Sequence, residues 1–171
     1  MREEFSSEFM IDLLNNLKNE DVQLRRKSIL ALGEFDLEVF KPIIELYLSN
    51  TDKNLKVSCL KTILKVVVNK NIEKLEPSTM VIINMAIKDT SPEITLIVIS
   101  LLRQLGIQGK NILMKTCRDK DLLRAKASVT ALLEMDYDRD VDKIMKELLN
   151  DELTDIMIKE DIINSRDYMK N

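Results

Sequence analysis

Residues 42–56 read Pro42-Ile43-Ile44-Glu45-Leu46-Tyr47-Leu48-Ser49-Asn50-Thr51-Asp52-Lys53-Asn54-Leu55-Lys56. A proline suited to a first helical turn opens the stretch, and an apolar run follows. A short polar turn then leads to an aliphatic residue paired with a cation. The same ending recurs at Leu24-Arg25, Leu55-Lys56, Ile94-Thr95, Leu123-Arg124 and, degraded, Ile156-Met157, in steps of 31, 39, 29 and 33 residues. Self-similarity at this period predicts stacked helical pairs rather than a chain wrapped around one central core.

Composition agrees. The 171 residues contain three Gly and three Pro, against roughly a dozen and eight or nine at average usage. Few breakers with abundant Leu, Ile, Lys and Glu predict helix almost throughout. The expected architecture is an all-α, right-handed α-solenoid over 1–171 as one domain, with pairs at approximately 4–35, 36–70, 76–106, 107–136 and 140–166. Pro77 and Pro92 are placed to open helices. Pro42 suits a first turn, which makes Leu37–Lys41 a kinked or separate lead-in. Residues 68–76 form the longer connection behind the 39-residue step.

Residues 42–56, and Asp89-Thr90-Ser91-Pro92-Glu93-Ile94-Thr95, resemble HEAT repeats, most of all the short-period HEAT-like repeats of the phycocyanobilin-lyase type. The resemblance runs over nearly the whole chain and implies the solenoid. It departs from the family pattern where Thr95 and Met157 replace the cation, where the fourth turn is one residue short, and at Glu160 in the terminal pair.

Charge is uneven. Residues 134–171 hold 12 acids and 6 bases, while residues 1–133 hold 17 acids and 20 bases. Neither balance is that of a dedicated nucleic-acid binder. Cys59 and Cys117 occupy apolar repeat positions without metal-type spacing, as buried thiols of a reducing compartment do. No signal or spanning segment is evident, so a cytoplasmic location with no membrane partner is expected.

The chain has no His. That removes His-based triads and His-ligated metals, including the paired His-Glu ligands of HEAT-repeat deoxyhypusine hydroxylases. Asp136, Asp138, Asp140 and Glu147 match a calcium loop at positions 1, 3, 5 and 12. Val141, however, stands where the sharp turn needs Gly, and an acid-rich helix cap is the better reading. No cofactor, metal or catalytic residue is expected.

The turn residues Asn19, Asn50, Asp89, Asp119 and Asp151, with Arg25, Lys56 and Arg124, are read as a structural ladder. Their side-chain oxygens would cap the second helices, and the cations would reach the turn of a neighbouring repeat. A second-helix face is the candidate site. Counting from each aliphatic anchor, offsets 0, 4, 7, 8 and 11 face the first helices. Offsets 2, 6 and 9 then face the concave surface where HEAT-like stacks commonly hold ligands. These positions nominate Arg26, Leu30, Lys61, Leu64, Leu96, Arg103, Val129 and Leu132. A helix apolar nearly all round is normally covered on both sides, so either a partner or superhelical crowding covers this face.

The primary expectation is a non-enzymatic scaffold binding another protein, or itself, on the second-helix face. The alternative is an enzyme-maturation or chromophore-lyase-like HEAT protein, implied by the repeat type. A third reading is nucleic-acid contact through the net-basic residues 1–133.

Overall fold

The computed structural model describes residues 2–135 and 138–169. Among them lie ten α-helices, one 3-10 turn and no strand. The helices are α1 (Arg2–Asn16), α2 (Val22–Leu32), α3 (Phe40–Leu48), α4 (Lys53–Asn69), α5 (Pro77–Ala86), α6 (Pro92–Gln104), α7 (Gly106–Thr116), α8 (Leu122–Glu134), α9 (Arg139–Asn150) and α10 (Ile156–Met169). The chain divides into two compact units, Met1–Val98 and Ile99–Asn171, with the boundary inside α6.

The three prolines fall where their missing N–H costs nothing. Pro77 and Pro92 open α5 and α6, and Pro42 sits in the first turn of α3 behind the 3-10 turn Leu37–Val39. The expected lead-in is a separate element over Leu37–Val39 only, since Phe40 and Lys41 already belong to α3.

In the first unit α1 packs on α2 and α3 on α4, while α2 also meets α4 and α3 meets α5. Leu17, Leu32, Ile43, Leu60, Ile63, Ile82, Ile83 and Ile94 are all but fully enclosed. Each such side chain contributes about 1.5–3 kcal/mol on leaving water. In the second unit α7 packs on α8, and α10 meets both α8 and α9. Leu105, Leu113, Val129, Leu132, Met145 and Ile162 are buried there.

Two close backbone features shape the connections. After α4, Asn71 takes φ +50°. Ile72 N–H then bonds Val67 O at 2.9 Å and Asn71 N–H bonds Val68 O at 3.4 Å. This is a Schellman closure, with Asn in the left-handed position usually given to Gly. It turns the chain sharply into 70–76, which Leu75, 2% exposed, pins to the body. At the crossing of α6 and α7, a Cβ added to Gly109 would stand 1.7 Å from the Leu102 carbonyl oxygen. Only glycine permits that approach.

The turn ladder works in two steps, which differs from the expectation. Asn19, Asp89 and Asp119 accept from the backbone N–H two residues on, at 2.8–2.9 Å, and so shape the turn. Asp151 does the same from Leu153. The second helices are capped later, by Asp21, Asp52, Asp121 and Asp155. Asn50 instead donates, to Leu46 O and Ser49 Oγ.

The cations also serve their own repeat rather than the next. Arg25 donates to Asn19 O at 2.6 Å and Glu20 O at 3.0 Å, and Arg124 to Asp119 at 3.0 Å. Lys56 stands 5.4 Å over the Tyr47 ring. Thr95 reaches the equivalent carbonyl, Asp89 O, at 3.5 Å. A hydroxyl can thus fill the cation's place because the acceptor is a nearby carbonyl.

Links between successive repeats come from other residues, through pairs the sequence reading did not anticipate. Lys61 pairs with Glu93 at 2.9 Å in the first unit, where Lys70–Asp36 at 3.0 Å also ties together the two ends of the second pair. Arg103 pairs with Glu134, Lys110 with Asp138, Arg118 with Glu147, and Lys126 with Asp161 at 3.3 Å in the second. Asn69 donates to Gly33 O at 3.0 Å and to Glu34. Apart from Lys110, whose side chain is largely buried, these are exposed or half-exposed pairs worth about 0.2–1 kcal/mol each, so they set register more than stability.

Candidate functional site

The second-helix face is open in the first unit. On α2, Arg26 is exposed and Leu30 is 56% exposed, with Val22 on the same stripe four residues before Arg26. On α4, Lys61 is exposed and Leu64 half-buried. On α6, Leu96 is 47% exposed. The Lys61–Glu93 pair ties α4 to α6 beside this face. Arg26, Leu30, Lys61, Leu64 and Leu96 therefore all reach solvent in one unit, as mixed apolar and cationic stripes.

The same face is not open along α8. Val129 and Leu132 are completely buried. The register shifts because the fourth turn is one residue short. Asp121 caps α8 at Arg124, where Asp52 caps α4 at Leu55. Arg124, not Leu123, thus holds the anchor position. Arg124 is 9% exposed, whereas Leu123 is 39% exposed. Counted from Arg124, Leu132 falls at offset 8, facing the first helices, and offsets 2 and 6 become the half-buried Lys126 and the exposed Thr130, while Leu133 at offset 9 is itself buried. Arg103 is exposed but engaged with Glu134. Leu24, expected to face inward, is 38% exposed.

The acid-rich stretch is only partly visible, since Asp136 lies outside the described residues. Asp138 caps α9 through Asp140 N–H and Val141 N–H and pairs with Lys110, whose side chain is largely buried. Lys110 and these N–H donors hold the Asp138 carboxyl below its ordinary range. Glu147, the twelfth position of the calcium template, pairs with Arg118 in the turn after α7. Among the described residues no group of three or more acidic, His or Cys side chains is arranged to hold a metal.

Both thiols are enclosed. Burial pushes Cys59 up to about 12 and Cys117 up to about 11, so neither is a thiolate near neutrality.

Two cavities open on the units. One, of about 450 Å³, lies in the second unit between the 117–121 and 151–155 turns, beside Cys117, Asp119 and Leu153. The other, of about 480 Å³, lies in the first unit, lined by α3, the 70–76 connection and the start of α5. Its apolar walls are Leu37, Phe40, Ile44 and Leu75, and Lys41, Glu45, Lys74 and Glu76 also line it. Sequence reasoning treated 68–76 as connection alone and missed this cavity. The departure from a 30-odd-residue step, together with two lysines facing an apolar run, was the available signal.

No family model matches the chain. Over 169 residues it is 26% identical to the bilin biosynthesis protein CpeZ of Synechococcus sp. (strain WH8020). The match covers 94% of this chain and 89% of that protein. The chain is a distant homologue of CpeZ. Likeness from end to end favours the bilin-related alternative over a general scaffold. Among the described residues no helix is long and apolar enough to cross a membrane.

Proposed function

We propose that this chain is a HEAT-like α-solenoid that acts in bilin maturation, engaging a bilin-accepting protein on the second-helix face of α2, α4 and α6. The end-to-end likeness to a bilin biosynthesis protein carries this reading. The alternation of helix contacts within each unit supports the solenoid part of it. Solvent-facing Leu30 and Leu96 beside Arg26 and Lys61 supply apolar anchors edged by cations, a pattern suited to a protein partner. In this reading the chain makes no covalent bond itself. Its two thiols stay protonated, and the absence of His leaves it without the commonest general base.

The test is reconstitution of bilin attachment. A bilin and an apo bilin-accepting protein are combined with or without the chain, and covalently attached bilin is read by absorbance after denaturation. The chain is expected to raise the yield. The Leu30→Asp/Leu96→Asp variant, folded by circular dichroism, is expected to lose most of that gain, because two exposed apolar anchors become charged. Equal yields with and without the chain would sink the reading.

A further inference from the structure

Resting on that reading, we propose that the bilin itself is held in the first unit's cavity between α3 and α5, and not on the second-helix face. The volume, about 480 Å³, falls in the range of small-molecule sites, roughly 300–1,000 Å³. Its floor is fixed, since Phe40 and Leu75 are 7% and 2% exposed. Its rim is open at Leu37, 57% exposed, and at the exposed Lys41 and Lys74.

The charges decide the ligand class. Lys41, Lys74, Glu45 and Glu76 all line the cavity. None of the four takes part in an ion pair among the described residues. Exposed lysines elsewhere in the unit, such as Lys18, Lys53 and Lys88, are open as well, but Lys41 and Lys74 are the two that stand at the edge of apolar walls. Two open ammonium groups call for carboxylates. Two open carboxylates call for N–H donors. Apolar walls between them call for a flat hydrophobic body. A fatty acid would use the lysines and leave the glutamates unanswered. A nucleotide would meet carboxylates and apolar walls where it needs donors. An open-chain tetrapyrrole answers all three demands, because it carries two propionate carboxylates, a set of pyrrole N–H groups and an extended apolar skeleton. The open rim leaves part of such a ligand reachable by a protein that receives it.

Titration of biliverdin into the purified chain, followed by the change in its absorption, tests this. The Lys41→Glu/Lys74→Glu variant is expected to bind roughly tenfold or more weakly, the loss of charge-assisted contacts. Leu64→Asp should bind as wild type does. Biliverdin dimethyl ester should bind wild type more weakly and lose little more on the double variant, because both changes remove the same contacts. Equal binding by wild type and the double variant, with loss in Leu64→Asp, overturns the cavity assignment and leaves the maturation reading standing. No biliverdin binding by a chain that still raises bilin attachment overturns the cavity assignment alone. No binding and no gain in attachment overturn both.

Discussion

Replacing Gly109 by alanine adds one methyl group where the structure has no room for it. That Cβ would lie 1.7 Å from the Leu102 oxygen, 2.5 Å from its carbonyl carbon and 2.9 Å from its Cα. Ordinary C···O contacts start at about 3.3 Å, so the backbones of α6 and α7 must part by about 1.6 Å. No side chain can swing aside to absorb the change. Leu102, Leu105 and Leu113 beside the crossing are fully buried and would lose packing as the helices separate. Overpacking of a tight site costs about 1–3 kcal/mol, occasionally more, and backbone against backbone belongs at the upper end. Alanine's better helix propensity returns about 1 kcal/mol, leaving a net loss of about 2 kcal/mol. For a chain of this length that lowers Tm by about 4–8 °C. Two controls separate causes. Gly106→Ala has open space but φ +50° and should cost about 1–2 kcal/mol from the left-handed backbone alone. Gly33→Ala meets Lys65 Cγ at 2.3 Å, which a change of the Lys65 rotamer must relieve, and should cost about 0.5–1.5 kcal/mol, less than backbone against backbone. Urea unfolding followed by circular dichroism gives the order. A Gly109→Ala protein as stable as the Gly33→Ala protein would refute the close approach.

Further outcomes follow from the same structure. With both thiols pushed up by burial, a thiol reagent at pH 8 should label native Cys59 and Cys117 only as fast as the units open, and both at once in urea. Their protonated burial stabilises the fold below about pH 9, and that contribution should fade as alkaline pH approaches 11–12. Asp119 is held below its ordinary range, first by the Asp121 backbone N–H and also by Arg124. Its contribution is present above about pH 4 and is lost as pH falls further. The urea midpoint should therefore drop between pH 5 and pH 3, and Asp119→Asn should flatten that slope. Asp138→Ala should lower the midpoint more than Asp138→Asn, because it removes both the α9 cap and the hydrogen-bond partner of the largely buried Lys110.

Much of the helical layout was legible because it rests on strong local rules. Pro42, Pro77 and Pro92 mark helix starts whatever surrounds them, and the anchor steps count out the pairs. The candidate face was legible only where the turn length holds. Along α2, α4 and α6 the offsets led to exposed Arg26, Leu30, Lys61 and Leu96. In α8 one missing turn residue rotated the helix by about 100°, carrying Val129 and Leu132 into the core. The ladder was half-read, since spacing named Arg25 and Arg124 but could not say whose oxygens they meet. For the cavity beside Phe40 the sequence offered the long step and the lysines but not its shape, because a left-handed Asn71 folds the connection back and sequence alone does not announce that conformation.

The links between repeats join positions close in sequence, from Lys110 with Asp138, 28 apart, to Asn69 with Gly33, 36 apart. During synthesis at about 5–20 residues per second, such a partner emerges within about 1–7 seconds of the residue it binds. Each helical pair can therefore dock on its predecessor before the rest of the chain exists. Low contact order of this kind favours fast folding and leaves core side chains such as Ile63 and Ile83 little time to meet the wrong surface.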